Sequence, residues 1–88
     1  MYYSENSFQN SYASDSKSNY GHIEIHLKEY MDGHQITRNA LARAVDTRFE
    51  VINKWYHGHV EKIDADVLAR ICFVLNCTPG DIIKYVTD

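Results

Sequence analysis

The sequence contains no apolar run long enough to cross a membrane, which takes about 18 to 20 consecutive apolar residues. Its first residues also lack the basic start and the apolar stretch of a secretory signal. The composition therefore argues against membrane proteins and secreted proteins. We expect a cytoplasmic protein that makes no contact with a membrane.

Cysteine is scarce. Cys72 and Cys77 are five residues apart, in and just after an apolar run. Two thiols are too few for a disulfide-rich domain. His57 and His59 are close in sequence, but no Cys-x-x-Cys pair is present to complete the ligands of a zinc site with them. We therefore expect two reduced thiols, no metal and no cofactor.

The residue patterns of common catalytic sites are missing as well. The sequence has no Ser-His-Asp arrangement and no glycine-rich phosphate loop, and 88 residues are few to shape a cleft around a carboxylate pair. We predict no catalytic residues, and hence that the protein is not an enzyme.

The charge is mildly acidic overall but uneven. Nine basic residues and twelve acidic residues give a net charge of −3, which is unfavourable for attracting phosphate. Residues 37–62 differ, because five cations there outnumber three anions. If the protein contacts nucleic acid, we expect this stretch to do so.

Residues 1–20 differ in composition from the rest. They are rich in Ser, Asn and Tyr and contain no Leu, Ile or Val, so they bury too little apolar surface to offset the entropy of ordering. We predict a flexible, disordered tail over 1–20 and one folded domain over 21–88. In an alternative interpretation the tail docks a protein partner through its aromatic side chains, which are Tyr2, Tyr3, Phe8 and Tyr12.

From Ile23 onward the apolar residues recur at three- and four-residue spacing, which is typical of helices. We predict an all-α fold of five helices without strands. Gly33 should end the first helix in a left-handed conformation, Thr37 should cap the second, and a turn should lead to a third over about 48–56. The inward side chains of these three helices are predicted to be Ile23, Leu27, Tyr30, Met31, Leu41, Ala42, Val45, Ile52, Trp55 and Tyr56.

Two further helices are predicted after Gly58. Asp64 opens the fourth and Asn76 ends it, whereas Thr78 caps the fifth, with Asp81 in the position of a capping-box acid. Their buried side chains are predicted to be Leu68, Ile71, Cys72, Leu75, Ile82, Ile83 and Val86.

Residues 37–58 have the spacing of a helix-turn-helix. Ala42 is small where two short helices must cross closely, and Ile52 follows ten residues later, where an apolar side chain must close the crossing. The strings LARAV, INKWYHG and DADVLARICFVLNCTPGDIIKYV, within residues 23–86, resemble the Cro/C1-type (XRE-like) DNA-binding domains, especially short bacterial and phage members. This resemblance implies a five-helix, lambda-repressor-like domain that binds double-stranded operator DNA as a homodimer.

The resemblance also implies a set of DNA-binding residues on the two motif helices. Thr37 and Arg38 match the helix start where family members contact phosphate. The recognition helix, at about 48–56, would lie in the major groove with outward residues Arg48, Phe49, Glu50, Asn53 and Lys54. Two turn residues depart from the family pattern, because Asp46 stands where glycine is usual and Thr47 where an aliphatic residue is usual.

Two functions follow from these patterns. The first is a sequence-specific DNA-binding transcriptional regulator, a repressor of bacterial or phage origin. The alternative is a helix-turn-helix fold reused as a protein-interaction module, such as a phage-encoded inhibitor of the anti-CRISPR type or an antirepressor. Its partner would bind through Phe49, Val51 or the aromatic tail, because the recognition helix begins with apolar and acidic residues.

Overall fold

A short antiparallel ribbon joins the two ends of a helical domain. The computed structural model describes residues 20–87. In chain order these residues form strand β1 (His22–Ile25), helices α1 (Leu27–Gly33), α2 (Arg38–Ala44), α3 (Phe49–Tyr56), α4 (Ala65–Leu75) and α5 (Pro79–Ile82), and strand β2 (Ile83–Val86).

The ribbon corrects the prediction of an all-α fold. Strands β1 and β2 pair antiparallel, with Ile23 opposite Tyr85 and Ile25 opposite Ile83. Ile25 and Ile83 pack against the core, whereas Ile23 and Tyr85 extend beyond it and are more than half exposed. The ribbon thus closes one edge of the core and leaves the apolar pair Ile23 and Tyr85 exposed.

Three residues that we expected on helices lie in these strands. Ile23 belongs to β1 and not to α1, while Ile83 and Val86 belong to β2 and not to the fifth helix. The four-residue spacing from Ile23 to Leu27 fits a helix, but Ile23 also alternates with Ile25, which fits a strand. Isoleucine and valine are β-branched and favour the strand in such a case.

Most predicted helix ends are confirmed. The Thr37 hydroxyl oxygen accepts the N–H three residues later at 3.1 Å, and the Asp64 carboxylate accepts two N–H groups in the first turn of α4. Asn76 ends α4 in a left-handed conformation, with φ of 54°. The Thr78 N–H donates to the Asp81 carboxylate at 2.8 Å, and this bond holds the pKa of Asp81 below its ordinary value.

The end of α1 differs from the prediction. Gly33 is the last residue of the helix, but the left-handed residue is Gln35, with φ of 58°. The Ile36 N–H donates to the Met31 carbonyl oxygen at 2.9 Å, and the Ile36 side chain packs against the core. The partly buried Ile36 side chain and its N–H bond therefore set the position of the chain reversal, and the residue that adopts the left-handed conformation is not the glycine.

The core lies where the helices meet, and Trp55 is its largest member at 3% exposure. Its buried apolar residues are Leu27, Met31, Leu41, Ala42, Val45, Ile52, Trp55, Ile71, Leu75 and Ile82. The Tyr30 hydroxyl donates to the Leu75 carbonyl oxygen at 3.1 Å and ties α1 to α4. Within residues 20–87, no helix is long and apolar enough to span a membrane.

The two cysteines are free thiols and both are partly buried, Cys72 within α4 and Cys77 just after it. Burial, reinforced by the neighbouring Cys72, raises the pKa of Cys77 to about 11. A thiol with so high a pKa is almost entirely protonated at neutral pH and reacts slowly.

Candidate nucleic-acid interface

A cation from α4 holds the turn between α2 and α3. Asp46, which stands where family members usually have glycine, has a left-handed conformation, with φ of 57°. Arg70 Nη1 donates to the carbonyl oxygens of Val45 at 3.1 Å and Asp46 at 3.2 Å, while its Nε lies 3.0 Å from a carboxylate oxygen of Asp66. The guanidinium thereby supplies donors and positive charge at the C-terminal end of α2, where both are stabilising.

Helix α3 presents one polar face to solvent. Asn53 and Lys54 lie three and four residues after Glu50, and His57 lies four and three residues after them, so all four lie on one face of the helix. Glu50, Lys54 and His57 are exposed and Asn53 is half-buried. The opposite face carries buried core residues. The buried Ile52 and Trp55 therefore anchor the helix that carries this polar face.

Arg38 connects the start of α2 to the side of α3. Its Nη1 donates to Asn53 Oδ1 at 2.7 Å and lies 3.4 Å from His57 Nε2. The guanidinium carbon is 4.8 Å from the centre of the Tyr56 ring and 5.7 Å from that of Phe49. Both distances fall within the range of cation–π attraction. Arg38 is therefore held in place from three sides, and its side chain is half-buried.

A hydrogen-bonded chain fixes the far end of α3 to α1. The Tyr56 hydroxyl donates to Asp32 Oδ1 and Lys28 Nζ donates to Asp32 Oδ2, both at 2.8 Å. The Lys28 ammonium, followed by the Tyr56 hydroxyl, holds the pKa of Asp32 below its ordinary value. The bond to Asp32 in turn raises the pKa of Tyr56. The Tyr56 ring is thus oriented on the side where it meets Arg38.

A wide groove lies on the other side of α3, with a volume of about 960 Å³. Glu50 and Lys54 line its helix side, and Glu61 and Lys62 line the side formed by the following loop. The groove carries charges of both signs. Helix α3 therefore lies between this protein groove and the start of α2. The major groove of DNA is about 12 Å wide and admits an α-helix.

A family profile for the Cro/C1-type HTH DNA-binding domain matches residues 26–88. The chain belongs to this family. Proteins of the Cro/C1-type family are DNA-binding regulators and not enzymes. A search of curated proteins found no match to the chain.

The Cro/C1-type domain brings the predicted site residues into two groups. Arg38, Phe49 and Asn53 form one contiguous cluster, whereas Glu50 and Lys54 lie along the groove. Of the remaining two, Arg48 precedes α3 in an extended conformation and also lines the groove. Thr37 is exposed, but its hydroxyl oxygen already caps α2.

The domain also shows what the sequence analysis missed. Tyr56 was expected inside, yet it is half-buried and braces Arg38. Arg70 is 24 residues from the turn that it holds, so no local pattern signals its role. Val51, offered as a contact for a protein partner, is half-buried and packs against the core, which argues against that use. The aromatic tail lies outside the described residues.

Proposed function

We propose that this Cro/C1-type domain is a sequence-specific transcriptional repressor of bacterial or phage origin. The observation that supports this function best is the polar face of α3, formed by Glu50, Asn53, Lys54 and His57 on a helix anchored by buried Ile52 and Trp55. A helix of this kind fits the major groove, where side chains reach base edges.

In the proposed complex the two groups of site residues have different tasks. Asn53 faces base edges from the polar face of α3, and Arg48 and Lys54 contact phosphates at its rim. Thr37 and Arg38 place the start of α2 near the phosphate backbone of one DNA strand. Glu50 is the exception, because phosphate repels its carboxylate, and it fits best opposite a cytosine N4 amino group.

The proposed repressor binds a palindromic operator as a homodimer. One α3 helix of 8 residues reads only a few base pairs, so a single domain gives little specificity. Two copies related by a twofold axis would read half-sites about 34–36 Å apart. Occupation of such a site over a promoter blocks transcription.

The test is a fluorescence-anisotropy titration of the full chain on its own upstream DNA and on random duplexes, at several salt concentrations. Lys54→Ala should weaken binding to all sequences and reduce the salt slope by about one unit, because one phosphate contact is lost. Lys84→Ala is the matched control, since Lys84 lies on β2 and bonds to a carbonyl oxygen of α5. If the two variants have equal salt slopes, Lys54 does not contact DNA phosphate.

A second candidate function is a protein-interaction module. It is favoured by the acidic Glu50 on the polar face and by exposed aromatic side chains, with Phe73 on α4 exposed to 87% and Phe49 to 38%. Glu50→Gln separates the two functions. It should strengthen non-specific DNA binding in a repressor by removing a repelled charge. If the wild type binds no DNA at low salt and Phe49→Ala releases a co-purifying protein, the second function replaces the first.

A further inference from the structure

Helix α4 is apolar on nearly all of its sides. Two of its 11 residues are charged, Asp66 and Arg70, and they pair with each other on one side of the helix. A helix that is apolar all round is ordinarily covered by protein on every side. The core covers α4 through the buried Ile71 and Leu75, whereas the opposite side is exposed in the part of the chain that the structure describes.

The exposed side carries three apolar residues, Ala65, Ala69 and Phe73, which we call the α4 stripe. They are four residues apart and each is exposed, so they form one ridge along the helix. Phe73 is 87% exposed, more than any other large apolar side chain in residues 20–87. A shallow recess of about 500 Å³ runs along the stripe, and Leu68 and Cys72 complete its apolar lining. The stripe therefore has a large ring at one end and a small side chain beside a recess at the other.

This stripe is complementary to a second copy of itself in the opposite direction. Phe73 and Ala65 lie about 6 Å above and below Ala69, because a helix rises about 1.5 Å per residue. A twofold axis at Ala69 therefore brings Phe73 of one copy to the level of Ala65 of the other, and the reverse contact follows by symmetry. Ridges with four-residue spacing run parallel when two helices cross at about −50°, the commonest crossing angle. Ala69 meets its own copy at the axis, where its small side chain permits close approach.

We propose that the α4 stripe is the surface through which two copies of this chain pair, with Phe73 of each copy packed on Ala65 and the recess of the other. A second copy is the occupant that fits, because α4 supplies both the ring and the site that receives it at matching distances from Ala69. The inference rests on the proposed function in one respect, since it names the contact surface of the proposed homodimer. The α4 stripe shares no residue with the polar face of α3 or with the groove beside it.

The contact is small for a dimer interface. An aromatic side chain buries about 150–250 Å², whereas stable protein interfaces bury about 1,200–2,000 Å² in total. Two rings and one turn of helix on each side of the axis fall at the low end of that range. We therefore expect a reversible dimer with a dissociation constant on the order of 1–100 μM, which a DNA with two half-sites stabilises by holding both copies.

Sedimentation equilibrium of the full chain without DNA, over a wide range of concentration, tests the pairing. Phe73→Ala should raise the dimer dissociation constant about tenfold or more, because one ring is lost at each of two symmetric contacts. Ala69→Glu should also weaken the dimer, because it sets two like charges against each other at the axis. Ile23→Ala is the control, since it shortens an exposed apolar side chain on β1 and should leave the equilibrium unchanged. The melting temperature shows that each variant is folded.

An exchange of the two ends of the stripe tests the antiparallel register. The double variant Ala65→Phe/Phe73→Ala again has one ring and one small side chain at each contact, so it should recover the dimer lost in Phe73→Ala. Ala65→Phe alone should gain no affinity, because its added ring meets a contact already occupied by Phe73 of the other copy. A patch that is apolar without this register would dimerise more tightly in Ala65→Phe.

The inference is overturned if the wild type stays monomeric up to its solubility limit, if Phe73→Ala dimerises like the wild type, or if the double variant does not recover. Capture of another protein by a monomeric wild type, lost in Phe73→Ala, would likewise overturn it and assign the stripe to that partner. DNA binding is measured separately on a single half-site and on a palindrome. A wild type that dimerises but binds no duplex at low salt refutes the proposed function and leaves the interface standing, whereas a monomer that binds a half-site does the reverse.

Discussion

Arg70 offers a direct test of how the turn between α2 and α3 is held. Its Nη1 donates to the Val45 and Asp46 carbonyl oxygens at 3.1 and 3.2 Å. A hydrogen bond to a charged group contributes about 1.5–3 kcal/mol, but the Arg70 side chain is 46% exposed, and water offsets part of any loss. Arg70→Met keeps the apolar stem, so we expect the two bonds together to account for a loss of about 1–2 kcal/mol in unfolding free energy.

In a domain of this size that loss lowers the melting temperature by roughly 4–16 °C, measured by circular dichroism. Asp66→Asn is the control, because it removes the exposed ion pair with Arg70 and leaves both carbonyl bonds. It should cost less than about 0.5 kcal/mol. If the two variants melt together, or if Arg70→Met melts within about 2 °C of the wild type, Arg70 does not hold the turn.

Four further results are expected. Trp55→Ala should lower the free energy of unfolding, measured by chemical denaturation, by about 3–5 kcal/mol, which approaches the whole stability of a small domain. A denaturation midpoint equal to that of the wild type would mean that α3 is packed differently. Asp81→Asn should destabilise the protein at neutral pH, and because the folded pKa of Asp81 is depressed, this difference should shrink in pH-dependent melts as the pH falls below about 4. Cys77 should react with iodoacetamide at pH 8 about a hundredfold more slowly in the folded chain than in the unfolded chain, since its pKa is about 11 and its ordinary value 9.0; equal rates, followed by mass spectrometry, would contradict its burial. Removing residues 1–20 should leave the melting temperature nearly unchanged, because the composition of the predicted tail offers little to a core; a truncated chain that fails to fold would show that the tail is structural.

Helix ends were predictable where a local group decides them. The capping oxygens of Thr37 and Asp64 act on N–H groups two or three residues away, so their role is visible in the sequence. The left-handed Asn76 and Asp46 follow from the tolerance of short polar side chains for that conformation. These signals involve neighbours in the chain, and short-range patterns capture them.

The ribbon could not be predicted, because its partners are far apart in sequence. Ile23 pairs with Tyr85 across 62 residues, and neither strand has more than four residues. A strand this short carries too few alternations to be told from one turn of helix. Its existence depends on tertiary pairing, which overrides local preference.

In the candidate site, too, the features that depend on local sequence were predictable and those that depend on tertiary contacts were not. The resemblance to Cro/C1-type domains predicted the outward residues of α3, and Glu50 and Lys54 are exposed, whereas Asn53 is half-buried. It did not show that Arg38 bonds to Asn53, because the two lie 15 residues apart on different helices. The crossing of α2 over α3 brings them together, and that geometry belongs to the folded domain.

Contacts between helices also affect how the side chains of α3 are oriented for any ligand. The side chains that would face DNA come from α3, but their orientation is set from other helices. Arg38 on α2 turns the Asn53 amide, and Asp32 on α1 orients the Tyr56 ring beneath Arg38. The orientation of the outward side chains of α3 therefore depends on neighbouring helices as well as on the eight residues of α3, because without Arg38 the Asn53 amide would lose the hydrogen bond that orients it. A recognition helix in this domain has to be interpreted together with the residues that pack against its sides.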